Sequence, residues 1–181
     1  MVTESLVDYV IQTTFDDLPD NVINRAKVCI LDSIGCALGG YRTRIGMSVL
    51  DTLRASDSEE STIIGHGGKL ACKDAAFVNS TLTNALDFDD DNWVGHPSAT
   101  TMPAALATAE RIRAHGKDFL TSYVLGYEVV TRVGKAIWPS RERYGKVWGV
   151  GTHQAFGAVA AASKLLSLTK FETLNSFGIA G

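Results

Sequence analysis

The sequence is poor in the features that mark several common protein classes. It has only three cysteines, Cys29, Cys36 and Cys72. An odd count without a spacing framework argues against a secreted fold built on disulfides. Cys29 and Cys36 stand seven residues apart, so both fit one helix face as small core residues. An excess of one charge is missing too. Lys and Arg number 17 against 20 Asp and Glu, a net charge of −3. No basic stripe is present, which argues against a nucleic-acid partner. No apolar run is long enough for a membrane span. The longest, Cys29–Gly40 and Ala155–Leu166, are short or broken by Asp32, Ser163 and Lys164. The opening MVTESLVDYV lacks a basic segment followed by an apolar one, so it does not read as a secretory signal, and a cytoplasmic protein is expected. Alternating apolar–polar segments are scarce, which leaves little material for a sheet.

Helical periodicity fills the space those absences leave. Leu6, Val7, Val10 and Ile11 give a first short helix. Pro19 stands where a second begins, and Val22, Ile23, Ala26, Ile30, Ile34 and Ala37 carry it to Gly39–Gly40. Met47, Leu50 and Leu53 predict a third. Ala55–Ser61 reads as a polar surface loop, and Thr62–Gly65 as the one strand-like piece, short and isolated. Helix is expected again from Ala71 to about Phe88, from Thr100 to Ala114, and from Asp118 to Trp138. Pro139–Gly151 is a basic, glycine-containing loop. Thr152–Leu168 is alanine-rich, and small side chains suit a central helix that its neighbours approach closely. Thr169 and Glu172 form a capping box for a last helix. The closing SFGIAG is apolar, so a partner segment or further chain is expected beyond it. An all-α fold follows, with at most one short strand near Thr62–Gly65.

Chemistry concentrates in NALDFDDDNWVGHPSATTMP, Asn84 to Pro103. Asp87, Asp89, Asp90 and Asp91 crowd a helix C-terminus, where carboxylates oppose the dipole and repel one another. Asp87 and Asp91 share a face if the helix persists, and His96 follows on a loop ahead of Pro97. Three readings compete: a solvated acidic helix end, a divalent-metal site of the helical diphosphate-synthase kind, and an Asp–His acid–base site. The acids are not spaced as a metal-binding pair followed by a third acid requires. Acid–base work suits histidine because its pKa lies near operating pH.

Five segments together resemble the MmgE/PrpD family. They are LPDNVINRAKVCILDSIGCALGG (Leu18–Gly40), AAFVNSTLTNALDFDD (Ala75–Asp90), HPSATTMPAALATAE (His96–Glu110), GYEVVTRVG (Gly126–Gly134) and GTHQAFGAVAAASKLLSL (Gly151–Leu168). The resemblance implies that residues 1–181 are the N-terminal part of a helical domain, with the rest of that domain and a lid domain outside this chain. It implies a cofactor-independent lyase or isomerase acting on a small di- or tricarboxylate. The family's reactions include dehydration of 2-methylcitrate, decarboxylation of cis-aconitate and epimerisation of iminodisuccinate. It also implies a homodimer with neither a metal nor a membrane partner. The alternative is a truncated, non-catalytic helical domain that dimerises or binds a ligand.

Carried over by position, Asp87 matches the first acid of the family's Asp-Phe-Asp-Asp motif and His96 the histidine of its His-Pro-Ser motif. Asp91 falls where the decarboxylases have a site threonine. Trp148 takes the place of a second family histidine, with His153 as a candidate substitute. Arg141, Arg143 and Lys146 are candidates to attract the substrate's carboxylates. The family's lysine and tyrosine fall beyond Gly181. His66 is expected on a surface turn, and His115 at a helix end where it complements the dipole.

Overall fold

The computed structural model describes residues 2–53, 58–138, 140, 142, 146 and 151–181. Arg141, Arg143, Trp148 and part of the Ala55–Ser61 loop lie outside them. The described chain is mostly helical. α1 spans Val2–Gln12, α2 Asp20–Gly40 and α3 Arg44–Thr52. α4 spans Cys72–Asn84, α5 Pro97–Ile112 and α6 Gly116–Ala136. α7 spans Gln154–Leu165 and α8 Lys170–Ala180. None of these helices is long and apolar enough to cross a membrane.

The strand-like piece is one arm of a small antiparallel hairpin, β1 (Ser61–Thr62) with β2 (Lys69–Leu70). It starts one residue earlier than expected and has a partner. Gly65 and Gly67 turn the chain between the arms at φ of 83° and 77°, values open to glycine at no steric cost. His66 is exposed on that turn, edge-on to the Tyr41 ring.

α5 is the hub. It packs against α2, α4, α6 and α7, and most of its residues are small: Ala99, Ala105, Ala107 and Ala109 are all buried. Small side chains let helices approach almost backbone to backbone. A Cβ built on Gly126 of α6 would lie 2.6 Å from the Gly157 carbonyl oxygen of α7 and 2.5 Å from Thr101 Cγ2 of α5. The alanine-rich α7 is central as expected, with Gly157, Ala160 and Ala161 buried. α1 and α8 close one side through Val7, Val10 and Phe177. The Thr169–Glu172 capping box is formed: Thr169 N donates to Glu172 Oε2 at 2.9 Å. Cys29 and Cys36 are buried on α2.

Two helix ends differ from the sequence expectation. α4 stops at Asn84 rather than near Phe88, so Asp87 and Asp91 do not share a helical face. α5 ends at Arg113, which takes the left-handed conformation at φ 55°. His115 therefore stands at the N-cap of α6, where a cation has no favourable dipole to complement.

Candidate functional site

The twelve residues between α4 and α5, Ala85–His96, carry the acids. Asp87 adopts φ 54°, and its N–H donates to the Asn84 carbonyl at 3.0 Å. Asp is among the few non-glycine residues that take this conformation readily. A second turn follows at Asn92–Gly95, whose backbone groups exchange bonds of 2.9 and 3.0 Å. Two contacts pin that turn to the helices behind it. Asn92 Nδ2 donates to Thr131 Oγ1 of α6 at 2.9 Å, and His153 Nε2 donates to the Val94 carbonyl at 2.8 Å. His96 is then the N-cap of α5, and Pro97 its first residue.

This folding separates the acids. Asp90 Oδ1 accepts from Ser98 N at 3.2 Å. It caps the N-terminus of α5, where a carboxylate is favoured by the dipole. The cluster that looks unfavourable on the preceding helix is thus partly used by the next one. Burial pushes the Asp90 carboxyl above its ordinary range, and the hydrogen bond from Ser98 pulls it back. Behind it, Ser98 Oγ and the Tyr123 hydroxyl bond at 2.5 Å in the interior, where burial pushes the Tyr123 phenol up.

Asp87, Asp89 and His96 form a second group. His96 Nε2 lies 3.4 Å from Asp87 Oδ1, and His96 Nδ1 lies 3.4 Å from Asp89 Oδ1. The same Nδ1 is 3.3 Å from the Asp89 backbone carbonyl. The flanking carboxylates differ in setting. The Asp87 side chain is 82% exposed, that of Asp89 0%, and the ring between them 22%. Asn84 Nδ2 donates to Asp89 Oδ1 at 3.0 Å, while Asp89 Oδ2 is buried without a partner. Burial raises the Asp89 carboxyl. The Asn84 bond and the His96 charge oppose that rise.

Asp87 and His96 open onto one cleft of about 820 Å³ between α4, α5 and α7. Asn84, Thr100 and Gln154 supply further polar groups, and Ile45, Phe77 and Ala104 supply apolar wall. The described lining contains no Lys or Arg. Thr100 Oγ1 donates to the Gln154 backbone carbonyl at 3.1 Å, which ties the start of α5 to the start of α7. Leu86, Phe88 and Trp93 stand exposed around the same loop. Among the described residues, no group of three or more His, Cys, Asp or Glu is placed to hold a metal ion.

The other candidates lie elsewhere. Asp91 is exposed and is not part of the described cleft wall. His153 is 1% exposed, packed on Gly134 and bonded to the loop carbonyl, so it holds the loop from inside. Lys146 is exposed, with Nζ 3.0 Å from a Glu142 carboxylate oxygen. Arg141 and Arg143 fall outside the described residues. Sequence reading missed Asp89, Thr100 and Gln154. Asp89 was visible only as one acid in a run, and the other two carry no motif of their own.

Residues 4–181 match the family profile described as MmgE/PrpD N-terminal domain. The chain is 32% identical to the cis-aconitate decarboxylase of Aspergillus terreus over 190 residues, covering 99% of this chain and 38% of that protein. It is 32% identical to the cis-aconitate decarboxylase of Mus musculus, with the same two shares. For the cis-aconitate decarboxylase of Homo sapiens, identity is 31%, over 99% of this chain and 39% of that protein. The chain therefore spans about two fifths of the length of the curated relatives it matches.

Proposed function

The chain belongs to the MmgE/PrpD family, and on that premise we propose that it supplies the acid–base half-site of a cofactor-independent lyase acting on a small polycarboxylate. One observation carries the reading: His96 is held between two carboxylates, Nε2 on the side of Asp87, and both His96 and Asp87 line a cleft of about 820 Å³. Decarboxylation, dehydration and epimerisation of such acids all need a proton moved beside a developing carbanion. His96 is the group that moves it. Asp87 lies against Nε2 and stabilises the ring when it carries a second proton. Cis-aconitate is the first substrate to try, because the relatives named above decarboxylate it. 2-Methylcitrate and iminodisuccinate follow, the latter covering the isomerase branch.

The chain alone is not expected to turn over. Its described cleft wall offers no Lys or Arg to hold a polyanion, and an exposed Asp87 repels one. The cations and a covering surface that excludes water come from elsewhere in a complete enzyme. Lys146, Arg141 and Arg143 remain candidates for part of that charge. The protein is proposed to act in the cytoplasm as a homodimer. An apolar face of α2 supports self-association: Val28, Leu31 and Leu38 are exposed, and Gly35 between them faces open space. Sedimentation of the native chain beside Leu31→Glu reads that directly.

The test of function replaces the matching 38% of the Aspergillus terreus enzyme with this chain. Cis-aconitate decarboxylation by the chimera, lowered roughly 10²–10⁴-fold by His96→Gln, is the expected result. A folded chimera whose rate is indifferent to His96 would sink the reading. Turnover by the isolated chain within about tenfold of the chimera would show that the half-site is already complete.

A further inference from the structure

Asp87 is the acid that the family motif brings to notice, but Asp89 is better placed to control His96. A backbone carbonyl can only accept, so the 3.3 Å approach of Nδ1 to the Asp89 carbonyl requires Nδ1 to carry the proton. The Asp89 carboxylate reinforces this from the same side, with Oδ1 3.4 Å from the same nitrogen. Two acceptors of one residue thus converge on one ring atom. Asn84 Nδ2 fixes the carboxylate by donating to that Oδ1 at 3.0 Å. Asn84 is the last residue of α4, and His96 caps α5. The series Asn84–Asp89–His96 therefore joins two helix ends.

Burial decides between the two acids. The Asp87 side chain is 82% exposed and that of Asp89 0%. Water and salt screen the first, while the second acts through protein alone. Asp87 also faces the opposite nitrogen, so it favours a proton on Nε2, whereas Asp89 favours one on Nδ1.

We propose that Asp89 is the positioning residue of this site: from beneath the ring it holds the His96 proton on Nδ1 and leaves Nε2 as the atom that takes up and delivers a proton in the cleft. The last step of that statement rests on the function proposed above. The tautomer itself does not, and it is measured without substrate.

The experiment records long-range ¹H–¹⁵N correlations of the histidine rings in the 181-residue chain at alkaline pH, where the rings are neutral. His96→Gln assigns the His96 signals. The Nδ1–H form, the reverse of the preference of free histidine, is expected to dominate at His96. Asp89→Asn keeps the Asn84 acceptor and removes the charge. It is expected to lower the ratio of Nδ1–H to Nε2–H about tenfold, because a charge-assisted bond becomes a neutral one. Asp87→Asn is expected to leave the ratio unchanged or raise it. A merely structural role for Asp89 would disturb all four histidines together rather than His96 alone. An Nε2–H tautomer at His96 in the native chain overturns the proposal, even if Asp89→Asn fails to fold. So does a ratio that Asp89→Asn changes less than about twofold.

Discussion

The two ends of α5 are built to different standards. At the C-terminal end the buried polar groups are paired. Ser61 Oγ donates to the Ala107 carbonyl at 2.7 Å, Thr62 N donates to the Glu110 carboxylate, and Thr108 Oγ1 donates to the Ala104 carbonyl at 2.8 Å. Arg113 closes the helix in a left-handed cap, with Ala114 N on the Ala109 carbonyl at 2.9 Å. At the N-terminal end the reverse holds. Among the described residues, the buried side-chain oxygens without a partner are Asp89 Oδ2, Asp90 Oδ2 and Thr101 Oγ1. All three lie on or just before the first turns of α5. Buried polar groups are nearly always paired because each unpaired one costs free energy. A domain that meets that rule at one end of a helix and breaks it at the other has spent stability where a site stands.

The largest effect that separates the two ends is steric. Gly126 faces the N-terminal end, where a Cβ would meet Thr101 Cγ2 at 2.5 Å and the Gly157 carbonyl at 2.6 Å. Backbone cannot yield as a flexible side chain does. Gly126→Leu is expected to cost more than about 4 kcal/mol, enough to remove the cooperative thermal transition. Gly116 stands beyond the other end, with nothing within 4 Å of its Cβ position. Gly116→Ala is expected to leave the melt unchanged or raise it slightly. Circular dichroism melts of both variants make the comparison, and similar losses in the two would erase it.

Next in size is the pairing at the well-satisfied end. Ser61 is fully buried, and Ser61→Ala removes its bond to Ala107. A loss of about 1–2 kcal/mol is expected in urea unfolding. A neutral result would mean that pairing at this end contributes nothing to the contrast.

Asp90→Asn is expected to act in the other direction. The asparagine still caps Ser98 N, so only the charge is lost. Burial raises the folded carboxyl above its ordinary 3.8. A raised acid favours the protonated form in the fold. Its stabilising contribution is present below pH 3.8 and is lost as pH rises through the folded value. At neutral pH the native chain therefore carries the cost of a buried charge, and Asp90→Asn is expected to gain about 1 kcal/mol. The gap between variant and native should close as pH falls toward 4. Asp17 and Glu172, whose carboxyls are held low by their capping bonds, lose stability over the acid range, but they cancel in the difference. A gap that widens on acidification would contradict the sign.

Which parts of this were legible in the sequence follows from what each depends on. The helices were legible because burial on one face imposes a period, as Ile23, Ala26 and Ala37 show on α2. The capping box at Thr169 was legible because its bonds run between residues three apart. The pairing of β1 with β2 was not, since strands of two residues leave no alternation to read. Nor was the division of labour among the acids. Asp87, Asp89 and Asp90 are nearly adjacent in sequence, yet one is exposed, one lies beneath His96 and one caps α5. The left-handed turn at Asp87 sorts them, and α4 ending at Asn84 permits it. His153 read as a candidate substitute for a second family histidine because a position carried over by resemblance says nothing about which way the side chain points. Its contact with Val94 joins residues 59 apart.

The smallest expected effect is the most direct probe of the contrast. Thr101 is fully buried, and its hydroxyl oxygen has no partner. It sits in the notch between Gly126 and Gly157, with Cγ2 toward the first and Oγ1 toward the second. Thr101→Val keeps the shape and the Cγ2 contact and exchanges the hydroxyl for a methyl. If the N-terminal end of α5 carries an unpaired polar group, this exchange removes a cost and leaves packing nearly intact. A gain of about 0.5–1 kcal/mol is expected in the urea midpoint, with the slope unchanged. The same exchange at Thr108 removes a bond to Ala104 rather than an orphan, so Thr108→Val is expected to lose stability or stay level. Opposite signs for one substitution at two places on one helix would tie the difference to pairing, because composition, helix propensity and volume change alike at both. Equal signs would mean that the Thr101 hydroxyl is satisfied after all, and that the two ends of α5 differ only in charge.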